Sequence, residues 1–145
     1  MSARNIQAKT VITGHSNADF DAFAAMIAAR KLYPDAVLVF PGSQEKSLRN
    51  FLIESATYLF DLKNPKDIDP DSVELLVVVD TRQKSRVSHL KNVLAREDVE
   101  IHTYDHHPDT DEDLEATQEV FQPWGATTSI IIHEIIKRDL TLTPD

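Results

Sequence analysis

KTVITGHSNADFDAFAAM, Lys9 to Met26, is the stretch from which the rest of the chain can be read. KTVIT is a short β-branched run of the kind that forms a strand, and the apolar pattern from Phe20 onward has helical spacing. His15, Asp19 and Asp21 therefore fall where a strand gives way to a helix, the place where open α/β sheets keep their ligands. Taken alone, the two aspartates have an ordinary explanation. A carboxylate in a first helical turn is stabilised by the free amides and the dipole, by about 0.5–1 kcal/mol.

The same alternation continues outward. Nearly continuous apolar runs at Thr10–Thr13, Ala36–Phe40, Val73–Val79 and Val99–Tyr104 read as strands covered on both faces. Helical patterns at Ala18–Leu32, Gln44–Leu59 and Ser88–Arg96 lie between them, Leu114–Phe121 reads as extended, and Thr128–Lys137 as helical. Asn17 or Ala18 is expected to start the first helix, Pro34 to close it, and Ser43 to cap the second. The Asn64–Asp71 segment, with two prolines, is expected to be a linker within the domain. This order implies α/β architecture: a mostly parallel sheet flanked by helices in a three-layer, Rossmann-like domain.

At 145 residues the chain is expected to be a single domain. LTLTPD at the end carries no stop signal after a helix that should lead to another strand, so residues 1–145 are expected to be the front of a longer protein. With no cysteine, disulfides and thiolate metal sites are excluded. A secretory leader pattern is missing, and the longest apolar stretch, Ala22–Ala29, is far short of the roughly 20 residues that span a bilayer. A soluble, cytoplasmic protein that does not engage a membrane is expected. The net charge of −9 argues against broad attraction to a phosphate backbone or an anionic membrane. Its densest runs, KDIDPD at 66–71 and DEDLE at 111–115, read as solvated loops.

Two further clusters sit at strand ends. VVVDTRQKSR breaks off a buried run at Asp80, and IHTYDHHPD ends the fourth strand in Asp105, His106 and His107. A turn-forming aspartate and a pair of surface histidines would explain each singly. Parallel topology, however, brings all three strand ends to one edge. Carboxylates gathered there repel one another unless cations sit among them. Imidazole and carboxylate without sulfur suit Mn²⁺, Mg²⁺, Fe²⁺ or Co²⁺. Two such ions about 3.5–4 Å apart, bridged by an aspartate, would support hydrolysis of a phosphoester or phosphoanhydride.

His15-x-x-x-Asp19-x-Asp21, Asp80 after a hydrophobic strand, and Asp105-His106-His107 resemble, in order, the first three motifs of the DHH phosphoesterase family. GATTSIIIHEI at 125–135 is similar to the segment that follows in these enzymes. The family includes exonucleases, oligoribonucleases, cyclic dinucleotide phosphodiesterases, exopolyphosphatases and a class of pyrophosphatase. The resemblance implies two divalent ions, Mn²⁺ first and Mg²⁺ or Co²⁺ as alternatives. His15, Asp19 and Asp80 would hold one; Asp21, Asp80 and His106 the other. Asp80, His107 and Asp105 would form the catalytic group, with His107 facing phosphate and Asp105 orienting a histidine. Arg82 and Arg86 are candidate phosphate contacts or solvent-facing loop residues. Two family features have no match within 1–145: a further aspartate ligand from a later strand, and the carboxyl-terminal substrate domain.

The wording of residues 17–46 resembles the amino-terminal DHH domain of longer bacterial proteins in which CBS domains and a tRNA nucleotidyltransferase or poly(A) polymerase head follow. Expected partners are thus a small phosphorylated substrate or short oligonucleotide and further domains of the same chain, with an oligomer also allowed. The alternative function is a non-catalytic metal- or nucleotide-binding regulatory domain. Three weaker signals are set aside. His133-Glu134 lacks the second histidine of a zinc protease site, Lys137 standing in its place, and the isoleucines around it are expected to pack inward. Gly125–Thr128 is expected to cap a helix rather than grip phosphate, and Tyr104 and Trp124 to be core or lid rather than base-stacking.

Overall fold

A computed structural model describes residues 6–15, 20–40, 61–108, 110–111 and 113–138. The expected helix at 44–59, the caps at Asn17, Ala18 and Ser43, and the metal candidate Asp19 lie outside these residues. Five parallel strands form one sheet among the described residues, in the order β2-β1-β3-β4-β5. They are β1 Thr10–Thr13, β2 Val37–Leu38, β3 Leu75–Val79, β4 Glu100–Asp105 and β5 Gln118–Phe121. Helix α1 is Phe20–Ala29, α2 is Lys91–Leu94 and α3 is Thr127–Lys137.

The expected α/β sandwich is therefore present, with boundaries moved by local physics. The second strand is shorter than its apolar run: Val39 still donates its amide to the Ile12 carbonyl of β1 at 2.9 Å, but beyond Leu38 the run also bridges to Lys63 on its other edge. The expected helix at 88–96 begins earlier, as a 3-10 turn over Lys84–Leu90 that kinks at Val87 (φ −115°, ψ 26°) before α2. Asn64–Asp71 is more ordered than a plain linker: Asn64 and Asp69 each cap a proline-initiated 3-10 turn by accepting an amide from Lys66 and Asp71. In the DEDLE run, Asp113 binds the Thr110 amide and hydroxyl, while Leu114 is buried.

Alternation along β3 divides the core. Val77 and Val79 face one side with Ile12, Leu38 and Tyr104, where α1 and α3 pack through Ala22, Ala25, Met26, Ile131 and Ile135. Leu76 and Val78 face the other with Val11, Val87, Leu90 and Val93. Each fully buried Val or Leu contributes about 1.5–3 kcal/mol, so a strand apolar on both faces is stable only between two layers. Not every isoleucine of α3 packs inward: Ile132 is 36% and Ile136 64% exposed. Five isoleucines at 130–132 and 135–136 span more of the helix circumference than one buried stripe can cover.

The strand order reverses at β1, which lies between β2 and β3. In open α/β sheets that reversal opens a crevice at the carboxyl ends of the flanking strands. His15 follows β1 there, and Asp80 follows β3. Residues 106–117 then carry the chain from β4 to parallel β5, about the shortest span such a crossover allows.

Candidate metal centre

Asp80 is set by a backbone that few residues adopt. Its amide continues the sheet by donating to the Tyr104 carbonyl at 2.9 Å, and its φ of +65° then turns the chain sharply. Left-handed backbone costs an ordinary L-residue about 1–2 kcal/mol, and Asp tolerates it better than most. The result is a carboxylate, 3% exposed, pushed into the crevice rather than along the strand.

Three elements converge on it. His15 Nε2 lies 3.2 Å from Asp80 Oδ2, and His106 Nε2 lies 3.2 Å from Oδ1. Thr127, at the start of α3, donates its hydroxyl to Oδ1 at 2.9 Å. Asp21 joins them, in side-chain contact with Asp80 and with its Oδ2 4.0 Å from His106 Nε2. The structure thus brings together His15, Asp21, Asp80 and His106.

Asp21 also caps a helix, though not its own. Ala126 at the N-cap of α3 has no side chain to offer, and Asp21 takes its place. Its oxygens accept the Thr127 amide at 3.0 Å, the Thr128 amide at 3.1 Å and the Thr128 hydroxyl at 2.8 Å. Gly125–Thr128 is therefore a capped helix start whose cap comes from α1. Burial opposes the charge on Asp21, yet the bonds from Thr128 and Thr127 outweigh it and hold the carboxyl below its ordinary value. Asp21 is thereby kept ionised by amides and a hydroxyl of α3.

Asp105 and His107 form a second group. Asp105 Oδ1 is 2.6 Å from His107 Nδ1, and Oδ2 accepts Arg82 Nε at 3.1 Å. The His106 and His107 rings stack with centroids 4.1 Å apart, which lets adjacent histidines reach one site on irregular backbone. Arg82 is 3% exposed and so is not a solvent-facing loop residue. Arg86 is exposed and lines a cleft of about 260 Å³ with Gln83, His107, Pro108 and Thr110.

His89 carried no signal in the sequence. Its Nε2 lies 2.8 Å from the Thr13 hydroxyl, 76 positions away. The single hydroxyl proton of Thr13 goes to the Val39 carbonyl at 2.8 Å, so His89 donates from Nε2. Burial first, and then the neighbouring His15, hold its imidazole down to about 4. A neutral ring thus braces the end of β1 beneath His15. Tyr104 is fully buried, its hydroxyl 2.8 Å from that of Tyr33. It belongs to the core, whereas Trp124 is partly exposed and meets His133 edge-on.

One ligand atom from each of Asp80, Asp105, His106 and His107 falls within 4.8 Å of the others. Both Asp105 oxygens are engaged by Arg82 and His107, which leaves Asp80 as the centre of the group. Neighbouring ligands around an ion bound at about 2.1 Å sit about 3 Å apart. The 3.2 Å separations of His15 and His106 from the two Asp80 oxygens match that spacing. The donors are nitrogen and oxygen only, so the cluster can hold a divalent metal of hard to borderline character.

A profile of the DHH family N-terminal domain matches residues 9–142. The chain is 39% identical over 133 residues to an A-adding tRNA nucleotidyltransferase from Geobacter sulfurreducens. It is 30% identical over 135 residues to one from Aquifex aeolicus. In both cases 92% of this chain is covered, and it spans about 15% of the relative's length. An exopolyphosphatase-related protein from Bacteroides fragilis shares the fold, with a TM-score of 0.59 at 14% identity over 90% of this chain and 39% of that one. Sequence motifs, sheet topology and the match across nearly every residue agree that the chain belongs to the DHH family, as an N-terminal domain of that family.

Proposed function

We propose that this domain is a divalent-metal phosphohydrolase acting on the phosphodiester or phosphoanhydride bonds of a short oligonucleotide, cyclic dinucleotide or polyphosphate. The observation that carries this is Asp80, whose two oxygens each face an imidazole from a different strand end at 3.2 Å. His15, Asp19 and Asp80 would hold one Mn²⁺, and Asp21, Asp80 and His106 the other, with Mg²⁺ or Co²⁺ as alternatives. Bound there, the ions would acidify a water and offset charge on the phosphoryl group. The protein's own contribution is orientation. Thr127 fixes one Asp80 oxygen, and the amides of α3 fix Asp21. Asp105 anchors His107 at Nδ1, so that Nε2 is left to meet a phosphoryl oxygen or hand a proton to the leaving oxygen. Arg86 on the cleft rim would attract the phosphate.

With a charge of −9, the domain is poorly suited to grip a long nucleic acid by itself. The A-adding relatives support a setting in a longer, cytoplasmic, tRNA-handling protein whose other domains supply that surface. They also support a second reading, a regulatory domain that binds metal and nucleotide without hydrolysis, because the activity for which they are named is nucleotide addition. Turnover separates the two. The full chain with Mn²⁺ should release phosphate or nucleotide from one of these substrate classes, and Asp80→Ala should reduce kcat by on the order of 10³-fold or more. Nucleotide binding with no hydrolysis on any of them, in protein shown to hold Mn²⁺, would overturn the hydrolase and leave the regulator.

A further inference from the structure

We propose that Arg82 is a positioning residue that clamps the Asp105–His107 turn against the Asp80 cluster, and that it makes no contact with substrate phosphate. The inference deepens the hydrolase reading and rests on it for its kinetic arm. An arginine two residues beyond Asp80 sits where an electrostatic phosphate ligand would be expected, but its guanidinium is already committed. Nε donates to Asp105 Oδ2 at 3.1 Å, and Nη2 donates to the His107 carbonyl. Nη1 points toward Asp113, 3.9 Å from Oδ2. The Phe121 ring covers the guanidinium at 5.0 Å. The Arg82 carbonyl accepts the Leu114 amide at 2.7 Å.

One side chain therefore ties the exit of β3 to the exit of β4, the loop before β5 and the end of β5. Its carboxylate partner is shared: Asp105 holds Arg82 with one oxygen and His107 Nδ1 with the other. His107 is thus fixed twice by Arg82, through its backbone carbonyl and through Asp105. Arg82 borders the same cleft as Arg86, but it is 3% exposed, and its Nε and Nη2 are taken by Asp105 and the His107 carbonyl. Arg86, exposed on the same cleft, has no such commitment to Asp105 or His107. Lysine cannot replace Arg82 in this role, because a compact ammonium lacks the planar fork that spans a carboxylate and a carbonyl.

The test compares Arg82→Lys, Arg82→Ala and Arg86→Ala in the full chain with Mn²⁺. It reads kcat, KM and amide hydrogen exchange of peptides covering 105–114. Arg82→Lys should lower kcat about 10- to 100-fold with KM changed less than about twofold, and should speed exchange across 105–114. Added guanidinium should restore part of the kcat lost in Arg82→Ala. Arg86→Ala should raise KM and leave the exchange as in wild type. An Arg82→Lys protein that keeps kcat and exchange, or whose KM alone rises, overturns the clamp. If wild type turns over none of the substrates, the hydrolase reading falls by itself and exchange decides the clamp: faster exchange in Arg82→Lys sustains it, unchanged exchange removes it.

Discussion

Asp80 and Asp105 end neighbouring strands of one sheet and are buried to nearly the same degree, at 3% and 1% exposure, yet they are held in opposite ways. Asp105 faces a guanidinium and an imidazole. Asp80 faces two imidazoles, a hydroxyl and the neighbouring Asp21 carboxyl, and among the described residues no lysine or arginine pairs with it. A buried carboxylate needs a compensating charge or a set of strong donors. Where the chain supplies a permanent cation, the aspartate belongs to the scaffold. Where it supplies only imidazoles and a hydroxyl, the charge can be balanced by an exchangeable cation, as the proposed metal site requires.

This contrast can be broken most forcefully by removing each acid from metal-free protein. Asp105→Ala strands Arg82 as a buried cation and should destabilise the chain by about 3–5 kcal/mol. Asp80→Asn removes a carboxylate that is paired with no lysine or arginine among the described residues and should change stability by less than about 1 kcal/mol. Urea unfolding of the metal-free 145-residue chain measures both, and equal losses would erase the distinction.

A smaller effect sharpens it from the imidazole side. His89 accepts a proton at about 4 in the folded protein and near 6.5 when unfolded. The unfolded state therefore binds more protons between these values, and stability falls as pH drops from 6.5 toward 4. His89→Gln should flatten that part of the stability curve. An unchanged slope would mean that His89 is not held neutral beneath His15.

The sequence pattern exposed what depends on periodicity and on strand ends. Alternating apolar runs required a parallel sheet, and a parallel sheet required His15, Asp80 and His106 to share an edge. It concealed what depends on pairing across the fold. Asp21 caps α3 from more than a hundred residues away, because Ala126 lacks a capping group and the chain's path happens to bring α1 beside it. Arg82 turns inward because Asp105 awaits it, a fact no spacing rule encodes. His89 sits in a kinked 3-10 segment whose ring direction the helical pattern at 88–96 could not reveal. Ile132 and Ile136 depart from the inward packing expected of them, because composition reports how many apolar side chains a helix has, whereas burial depends on which arc they occupy.

The central claim is that Asp80 is the carboxylate that shared divalent ions hold, while Asp105 is not. Calorimetric titration of Mn²⁺ into the metal-free full chain tests it directly. Asp80→Asn should bind fewer ions than wild type, and Asp105→Asn should bind the same number. Mn²⁺ stoichiometry and affinity unchanged in Asp80→Asn would contradict the account.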